Sequence, residues 1–401
     1  MKYTKEEVIQ FIEEEDVKFI RLAFCDVFGT QKNISIMPGE IHRAFAHGIA
    51  IDGWSVPGFG GGVRSDLFLH PDPSTLTVLP WRPEHGRVVR MFCNITFPDG
   101  STPEFDSRSL LQRAIATAEE EGCPFFFGPE MEFYLFHRDE NGDPTTKPQD
   151  NTGYLDIAPD DRGENVRREI CLTLEKMGIL PESSHHEAGP GQNEIDFRYA
   201  DPLAAADNAV TFLSVVRTIA NKNGLFADFS PKPLKDAPGN GMHINFSLQG
   251  AGEARMEQAI AGILCHIAEM TAFLNPRPES YQRLGRDQAP AYISWSEENR
   301  SQLIRIPAAF DEFRRGELRS PDPAANPYIA FALMIYAALD GIHRSLPLPP
   351  AAELNLFTAP EAALRGLKKL PGSRAEAADL AQSSAFIQKH LPAAIIAAYC
   401  R

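Results

Sequence analysis

The chain has 401 residues, of which 43% are hydrophobic and 23% charged, and its formal net charge is −15 at pH 7. This length predicts two domains, and this composition is typical of a folded soluble protein and not of a disordered one. The negative charge argues against general affinity for nucleic acid or anionic membranes, since both bind clusters of Lys and Arg.

The N-terminus has no apolar core of the kind found in signal peptides, and the late apolar run at residues 329–339 is too short to cross a bilayer. We therefore expect a cytoplasmic protein without membrane partners. The six cysteines form no C-x-x-C pair and have no histidine at zinc-finger spacing, which predicts free thiols that are mostly part of the core.

The first hundred residues have the pattern of a small β-rich domain. After an opening helix, "KFIRLAFCDVFGTQKNISI" predicts two strands around a turn at Gly29, and "STLTVLPW" and "RVVRMFCNITF" predict two more. Turn signals in "FPDGSTPEFDSRS" then precede a helix, so we expect domains at residues 1–103 and 104–401. The second region mixes strands and helices without regular βαβ alternation, which favours an α+β fold.

The stretch "FFFGPEMEFYLF" places Glu130 and Glu132 inside one of the most apolar runs of the chain. Side chains alternate across a strand, so these two carboxylates share one face while Met131 and Phe133 occupy the other. Two acids in a hydrophobic neighbourhood need a specific reason to be there.

Other strand-like segments of the second domain also carry polar side chains on one face. They are "HHEAG" with Glu187, "NEIDF" with Glu194 and Asp196, "GMHINFS" with His243, Asn245 and Ser247, "QLIRIP" with Arg305, and "GELRS" with Glu317 and Arg319. If these strands are neighbours in one sheet, five glutamates and a histidine converge on one volume, with arginines beside them.

Such a cluster must be neutralised by cations, because buried carboxylates are costly and repel one another. An oxygen-rich ligand set with one imidazole suits Mg²⁺ or Mn²⁺ better than zinc. Arginines beside such a site commonly face phosphate, which points to metal-assisted phosphoryl transfer. The alternative is that each pair lies on the solvated face of an edge strand, and that His185 and His186 form a surface or core pair; periodicity alone leaves this open.

The motifs "FGPEMEF", "GYLDIAP", "HHE", "GQNEIDF", "PKP", "GMH", "SYQRL", "APAYISWS", "NRSQLIRIP" and "RSPDPAANPY" occur in the order and near the spacing of one family. With them, the chain resembles glutamine synthetase over nearly its whole length. The resemblance implies an N-terminal β-grasp domain, which "IDGWS" and "SDLFLHPD" also match, and a catalytic domain built on an antiparallel, funnel-like sheet.

The resemblance also implies two divalent metals, Mg²⁺ or Mn²⁺, and assigns ligands to each. Glu132, Glu187 and Glu194 match the ligands of the first metal, and Glu130, His243 and Glu317 match those of the second. In the family the first metal organises the amino-acid side and the second lies on the ATP phosphates. Glu130 and Glu132 would then be held by one ion each.

Further residues match substrate contacts of the family. The phosphate-facing arginines would be Arg300, Arg305 and Arg319; the nucleotide contacts Ser247 and Arg315; the glutamate contacts Arg283 and, in the loop "PGNGMH", Gly239; the flap residue Gln288; and the ammonium side Asp52, Ser55 and Tyr154. In the family, the residues matching Asp52 and Ser55 come from the neighbouring subunit.

The activity implied by the resemblance is ATP-dependent ligation of glutamate and ammonia through a γ-glutamyl phosphate. The alternatives are a γ-glutamyl-amide ligase that uses an organic amine, and a weakly catalytic regulatory paralogue that binds nucleotide or glutamate. The family also implies a homo-oligomer of ring hexamers, and the sequence leaves open whether two rings stack as a dodecamer.

Three positions depart from the family pattern. Pro238 stands where the glutamate-contacting loop usually has asparagine, Asn245 stands where histidine is usual, and Gln288 replaces the flap glutamate in a flap that is one residue shorter. The Gln288 change removes a carboxylate that closes the site and attracts ammonium, unless Asp287 takes its place. These departures leave open which amine the chain uses.

Overall fold

The computed structural model describes residues 3–60, 64–82, 85–250, 252–309 and 315–401. In these ranges the helices α1–α12 are Lys5–Glu14, Ile41–His47, Ser107–Glu120, Glu164–Lys176, Pro202–Lys222, Glu253–Leu274, Ser280–Arg283, Pro327–His343, Glu361–Leu364, Arg374–Ser383, Ala385–His390 and Ala393–Tyr399. The strands β1–β15 are Val17–Cys25, Gln31–Ile36, Ile49–Asp52, Asp66–Pro71, Thr77–Val78, Arg87–Thr96, Phe125–Arg138, Pro144–Pro148, Pro181–His186, Gln192–Phe197, Leu225–Asp228, Met242–Leu248, Trp295–Glu297, Ile304–Ile306 and Gly316–Leu318. The predicted α+β class is confirmed.

The N-terminal region forms a mixed sheet of six strands in the order β2-β1-β6-β4-β3, with β5 beside β6. The predicted hairpin of β1 and β2 turns at Gly29, whose φ of 79° is accessible to glycine without strain. Strands β1 and β6 pair in parallel, and their alternate side chains, such as Ile20 and Val89, are buried in a core of their own.

The larger sheet determines the position of the polar residues. Its strands follow the order β13-β14-β15-β12-β7-β10-β9, with β8 and β11 paired to β7. All described pairs in this sheet are antiparallel except β13 with β14. Strand β7 is the central element, because β10 and β12 flank its N-terminal half and β8 and β11 pair with its C-terminal half.

One face of this sheet packs on helices to form the main core. Helix α8 is buried along nearly its whole length, and its Phe331 stacks on Phe127 of β7 with ring centroids 4.5 Å apart. Helix α5 is long and apolar enough by composition to cross a membrane, but 61% of its apolar window is buried against the fold. Such burial is what a core helix shows. The other face of the sheet carries the polar side chains.

Buried polar contacts join the two regions. Asn326, at the start of α8, donates to the carbonyl oxygen of Val27 over 3.0 Å. Arg108 of α3 is almost fully buried and bridges Asp72 of the first region and Asp207 of the second, each at 2.9 Å. A buried guanidinium held by two carboxylates fixes the small domain relative to the large sheet.

Candidate active site

The strands that sequence periodicity singled out are neighbours in the large sheet. Across β7 and β10, Glu132 lies opposite Glu194 and Glu130 lies opposite Asp196. Across β7 and β12, His243 lies opposite Glu130. Because directly paired residues point to the same face of a sheet, the carboxylates and the imidazole converge as the alternation predicts.

Asn245 and Arg305 extend this face toward the edge of the sheet, since both lie opposite Glu317 of β15. The polar face therefore runs without interruption across five strands, from β14 to β10. The solvated-edge alternative is wrong for the acids on β7, β10 and β15, because these strands lie inside the sheet and not at its edge.

One potential metal-ligand set consists of Glu130, His243 and Glu317. One ligand atom from each of the three lies within 4.8 Å of the others. His243 Nδ1 is 3.6 Å from Glu130 Oε2 and 3.5 Å from Glu317 Oε1. The pKa of His243 lies well below its usual value because the ring is buried and Arg319 is near, so the imidazole is neutral and has a lone pair to offer.

Glu187 and Glu194 lie beside this set, on the β9 and β10 side of the sheet. Their carboxylates form a second group with His185, whose Nε2 is 2.9 Å from Glu187 Oε1 and 4.0 Å from Glu194 Oε1. Glu132 is anchored by its Oε2, which accepts hydrogen bonds from the Gly241 amide at 2.6 Å and from Gln192 at 3.3 Å.

The acidic side chains on this face destabilise one another's charged forms. Burial and the nearby Glu187 raise the pKa of Glu132 to about 7. Burial and neighbouring acids raise the pKa of Glu194 well above its usual value, and burial with Glu130 raises that of Asp196 to about 6. A group of carboxylates with these shifts is stabilised in its charged form by any cation that binds among them.

Two of the predicted arginines reach the ligand set. Arg319 Nη1 lies 2.7 Å from Glu317 Oε1, and Arg305 Nε lies 2.5 Å from Glu317 Oε2. Glu317 and Arg319 are almost fully buried, so these ion pairs compensate a carboxylate that has no access to water. Arg300 is exposed in the segment between β13 and β14.

A cleft of about 750 Å³ opens beside Glu130 on the outer part of the sheet. Ser247, Arg315 and Asn245 are among its lining residues, together with aromatic side chains such as Phe126 and Tyr199. Asn245 links this cleft to the acidic face, because its Nδ2 donates to Glu130 Oε1 at 2.6 Å and its Oδ1 accepts from Arg315 Nε at 2.8 Å. Aromatic walls with a cation and a hydroxyl fit a nucleotide.

On the other side of Glu132, the loop of residues 236–241 packs against Arg283. The Arg283 guanidinium is buried and donates to the backbone oxygens of Ser320 and Arg319. A Cβ atom at Gly239 would lie 2.3 Å from the Pro231 oxygen, and one at Gly241 would lie 2.7 Å from Arg283 Nη2. The glycines of "PGNGMH" therefore permit a close approach that no other residue allows.

The segment of residues 285–289, here named the flap segment, follows Arg283. Gln288 is exposed, and its backbone oxygen lies 3.5 Å from Arg319 Nη2. Asp287 Oδ2 forms an ion pair with Lys232 Nζ at 2.9 Å, so the charge of this flap carboxylate is compensated.

Both parts of the chain match models of one family. Residues 16–98 match the model "Glutamine synthetase, beta-Grasp domain", and residues 104–401 match "Glutamine synthetase, catalytic domain". The chain belongs to the glutamine synthetase family.

Relatives from bacteria and archaea match over nearly the full chain. The glutamine synthetase of Clostridium saccharobutylicum is 44% identical, over 97% of this chain and 92% of its own length. That of Methanosarcina mazei is 45% identical, over 97% and 90%. The resemblance to glutamine synthetase that the sequence motifs indicated is confirmed.

Two solved structures superpose on the chain over nearly its whole length. A structure titled "GmaS/ADP complex-Conformation 1" has a TM-score of 0.88 and 28% identity, and covers 98% of this chain and 93% of its own. Glutamine synthetase of Plasmodium falciparum, solved by cryo-electron microscopy, has a TM-score of 0.87 over 100% of this chain and 95% of its own. At 21% identity, the second match supports the fold alone.

The residues expected on the ammonium side are exposed and do not lie on the strands that carry the acidic face. Asp52 caps a short turn, accepting from the Trp54 amide at 2.9 Å and from the Ser55 hydroxyl at 2.6 Å, and all three residues are exposed. Tyr154 is exposed too and stands edge-on to His185, with ring centroids 5.4 Å apart. Asp52 and Ser55 therefore lie on the surface of the N-terminal region, whereas Tyr154 lies beside the acidic group that contains His185.

Sequence reasoning missed the two roles of the histidine pair. His185 contacts the acidic group, whereas His186 is buried and lies 2.9 Å from Asp150 Oδ1 and 2.6 Å from the Glu187 oxygen. Neighbouring residues on β9 point to opposite faces, so one ring meets the acids and the other meets the interior. Alternation next to Glu187 was the signal that could have separated them.

Proposed function

We propose that this chain is an ATP-dependent ligase that joins glutamate to ammonia through a γ-glutamyl phosphate. The single observation that carries the proposal is the Glu130, His243 and Glu317 set beside an aromatic-lined cleft, in a chain of the glutamine synthetase family. Small-molecule substrates and bound divalent metal follow from the family.

The side chains present fit two divalent metals. Glu130, His243 and Glu317 would hold one, and Glu132, Glu187 and Glu194 the other. The raised carboxyl pKa values of Glu132 and Glu194 are the expected mark of buried acids that lack a counter-cation. Oxygen ligands with one imidazole favour Mg²⁺ or Mn²⁺. When bound, these ions would neutralise phosphate charge and polarise phosphoryl oxygens.

The chain's own residues supply the remaining functions. Ser247 and Arg315 would hold the nucleotide, Arg283 and the backbone at Gly239 the glutamate, and Arg300, Arg305 and Arg319 the transferred phosphoryl group. The γ-carboxylate of glutamate attacks the terminal phosphorus of ATP and ADP leaves. Ammonia then forms the C–N bond at the acyl carbon, and phosphate leaves.

Asp52, Ser55 and Tyr154 would bind ammonium, and Asp52 would take its proton, because only neutral ammonia is a nucleophile. We place Asp52 and Ser55 at the neighbouring subunit's site, within rings of six subunits that stack in pairs or remain single. The N-terminal domain, proposed to comprise residues 1–103, would bring them there. We assign the enzyme to the cytoplasm, where ATP is supplied.

A second candidate, ligation of an organic amine, is favoured by one feature of the flap segment. Gln288 is neutral and Asp287 is paired with Lys232, so no described flap carboxylate is free to attract ammonium. A larger amine depends less on such a charge. The third reading, a regulatory paralogue, has little support, since there is no physical reason for an inactive site to keep five mutually repelling carboxylates around one imidazole.

The test is amide formation and phosphate release with ATP, Mg²⁺ or Mn²⁺, glutamate and a panel of amines that includes ammonium. We expect stoichiometric amide and phosphate with ammonium. Product only with a primary amine would replace the first candidate by the second, and no product with any amine would refute both.

A further inference from the structure

A buried lysine ties together the two segments that border Arg283. Lys232 has only 3% of its side chain exposed, and its Nζ donates to the Ala237 oxygen at 2.6 Å and to Asp287 Oδ2 at 2.9 Å. Ala237 belongs to loop 236–241, and Asp287 belongs to the flap segment. Burying an unpaired ammonium is costly, so Lys232 needs these two partners to remain buried.

Loop 236–241 is held from inside by three consecutive backbone oxygens. The Ala237 oxygen accepts from Lys232, the Pro238 oxygen from the Tyr134 hydroxyl at 2.6 Å, and the Gly239 oxygen from Gln192 Nε2 at 3.1 Å. The loop that lost its usual asparagine is therefore rigid, and it offers a fixed surface on which a neighbouring segment can rest.

The flap segment is strained where it meets this surface. Asp287 and Gln288 have φ values of 47° and 71°, a left-handed conformation that non-glycine residues adopt only where their surroundings hold them. The Asp287 ion pair is on one side of this turn, and the contact of the Gln288 oxygen with Arg319 is on the other. Together they tie the backbone of the flap segment to Lys232 on one side and to Arg319 on the other.

We propose that Lys232 is a positioning residue that, through Asp287, holds the flap segment closed over the γ-glutamyl phosphate and excludes water from it. This inference rests on the proposed function. The ion pair would take the place of a flap carboxylate as the interaction that closes the site, and so explain how a flap with neutral Gln288 stays in place. Closed segments of this kind prevent loss of reactive intermediates.

Without the ion pair, water reaches the intermediate. Water then attacks the acyl carbon, the bond from that carbon to the phosphate oxygen breaks, and phosphate leaves while glutamate is regenerated. The observable consequence is ATP consumption without amide formation. The nucleotide cleft, lined by Ser247 and Arg315 beyond Glu130, is not part of this contact.

The test compares Lys232→Met and Asp287→Asn with matched controls. Lys235→Met and Asp236→Asn make the same changes at exposed positions, one just before loop 236–241 and one at its first residue. We expect both test variants to release on the order of tenfold more phosphate per amide formed and to raise the KM for glutamate, with metal-dependent ATP binding unchanged. The phosphate-to-amide ratio of the double variant should resemble that of either single one, since each single substitution already removes the Lys232–Asp287 ion pair.

Two further readouts keep the proposal open to refutation. Asp287 is 43% exposed, so Asp287→Asn should fold even if Lys232→Met does not. Backbone amides of the flap segment should exchange hydrogen faster in Asp287→Asn than in wild type, whether or not the enzyme uses ammonia. An unchanged phosphate-to-amide ratio, or unchanged exchange, overturns the role of Lys232. A wild type that makes no amide refutes the proposed function instead, and the exchange experiment then decides the positioning role alone.

Discussion

Replacing Glu132 by Gln should stabilise the metal-free protein above pH 7 and reduce its response to divalent metal. The carboxyl pKa of Glu132 is raised from 4.5 to about 7 by burial and by Glu187. The amide of Gln keeps an oxygen that can accept from the Gly241 amide, so the substitution removes charge with little change of shape.

The direction and size of the change in stability follow from proton linkage at Glu132. The folded protein binds a proton at Glu132 between pH 4.5 and about 7 that the unfolded chain has already released, so metal-free stability falls as pH rises through this window. The full difference between the folded and unfolded pKa of Glu132 corresponds to a loss of about 3 kcal/mol in metal-free stability at pH 8. This value is an upper bound, because part of the side chain reaches solvent. Near pH 4 the charge contributes nothing.

Thermal unfolding at pH 5 and pH 8, with a chelator and with Mg²⁺, measures both effects at one protein concentration. We expect metal-free Glu132→Gln to unfold a few degrees above wild type at pH 8, with a smaller gap at pH 5 and a smaller increase on adding Mg²⁺. Glu140→Gln, on the exposed turn after β7, is the control and should behave as wild type. A variant less stable than wild type at pH 8 without metal would refute the reasoning.

Three other predictions test the assigned roles. Glu317→Ala should abolish Mg²⁺-dependent ATP binding in calorimetry, and an unchanged affinity would remove Glu317 from the ligand set. Gln288→Glu should lower the apparent KM for ammonium, with Gln282→Glu as an exposed control; if ammonium turnover stays the same or falls while a primary amine already reacts well in wild type, the ammonia assignment is wrong. Asp52→Ala and Arg319→Ala, each inactive alone, should regain about a quarter of wild-type activity when co-expressed, because randomly mixed rings contain intact shared sites; a fully active monomer would contradict this.

The polar face could be predicted because strand alternation is local. Glu130 and Glu132 on β7, and Glu194 and Asp196 on β10, share a face for the same reason, and the structure pairs them directly. What alternation cannot give is the neighbour of each strand or the register between strands. The family motifs indicated which strands are neighbours, and only the structure gave the register between them.

The contacts that sequence reasoning missed depend on which segments the tertiary fold brings together. Lys232 and Asp287 are 55 positions apart, and neither residue lies in a strand whose periodicity could indicate a partner. Arg305 and Arg319 were predicted to face phosphate, but that they share Glu317 depends on the antiparallel register of β14 and β15. Ion pairs of this kind are set by the tertiary fold, so one sequence shows the charges but not how they pair.

Stability and function lie on opposite faces of the large sheet, and this separation explains how the fold tolerates its acids. On β7, Phe127, Met131 and Phe133 are almost fully buried against helices, while Glu130 and Glu132 point away from that core. The apolar face of one strand buries enough surface to hold it in place despite a charge cost of a few kcal/mol on the other face. The chain can therefore fold while the carboxylates still repel one another. A cation that binds among them removes this repulsion, which adds to its binding free energy. This division of the two faces requires that removing one of these acids stabilises the metal-free protein. It also requires that the variant is stabilised less by divalent metal than wild type.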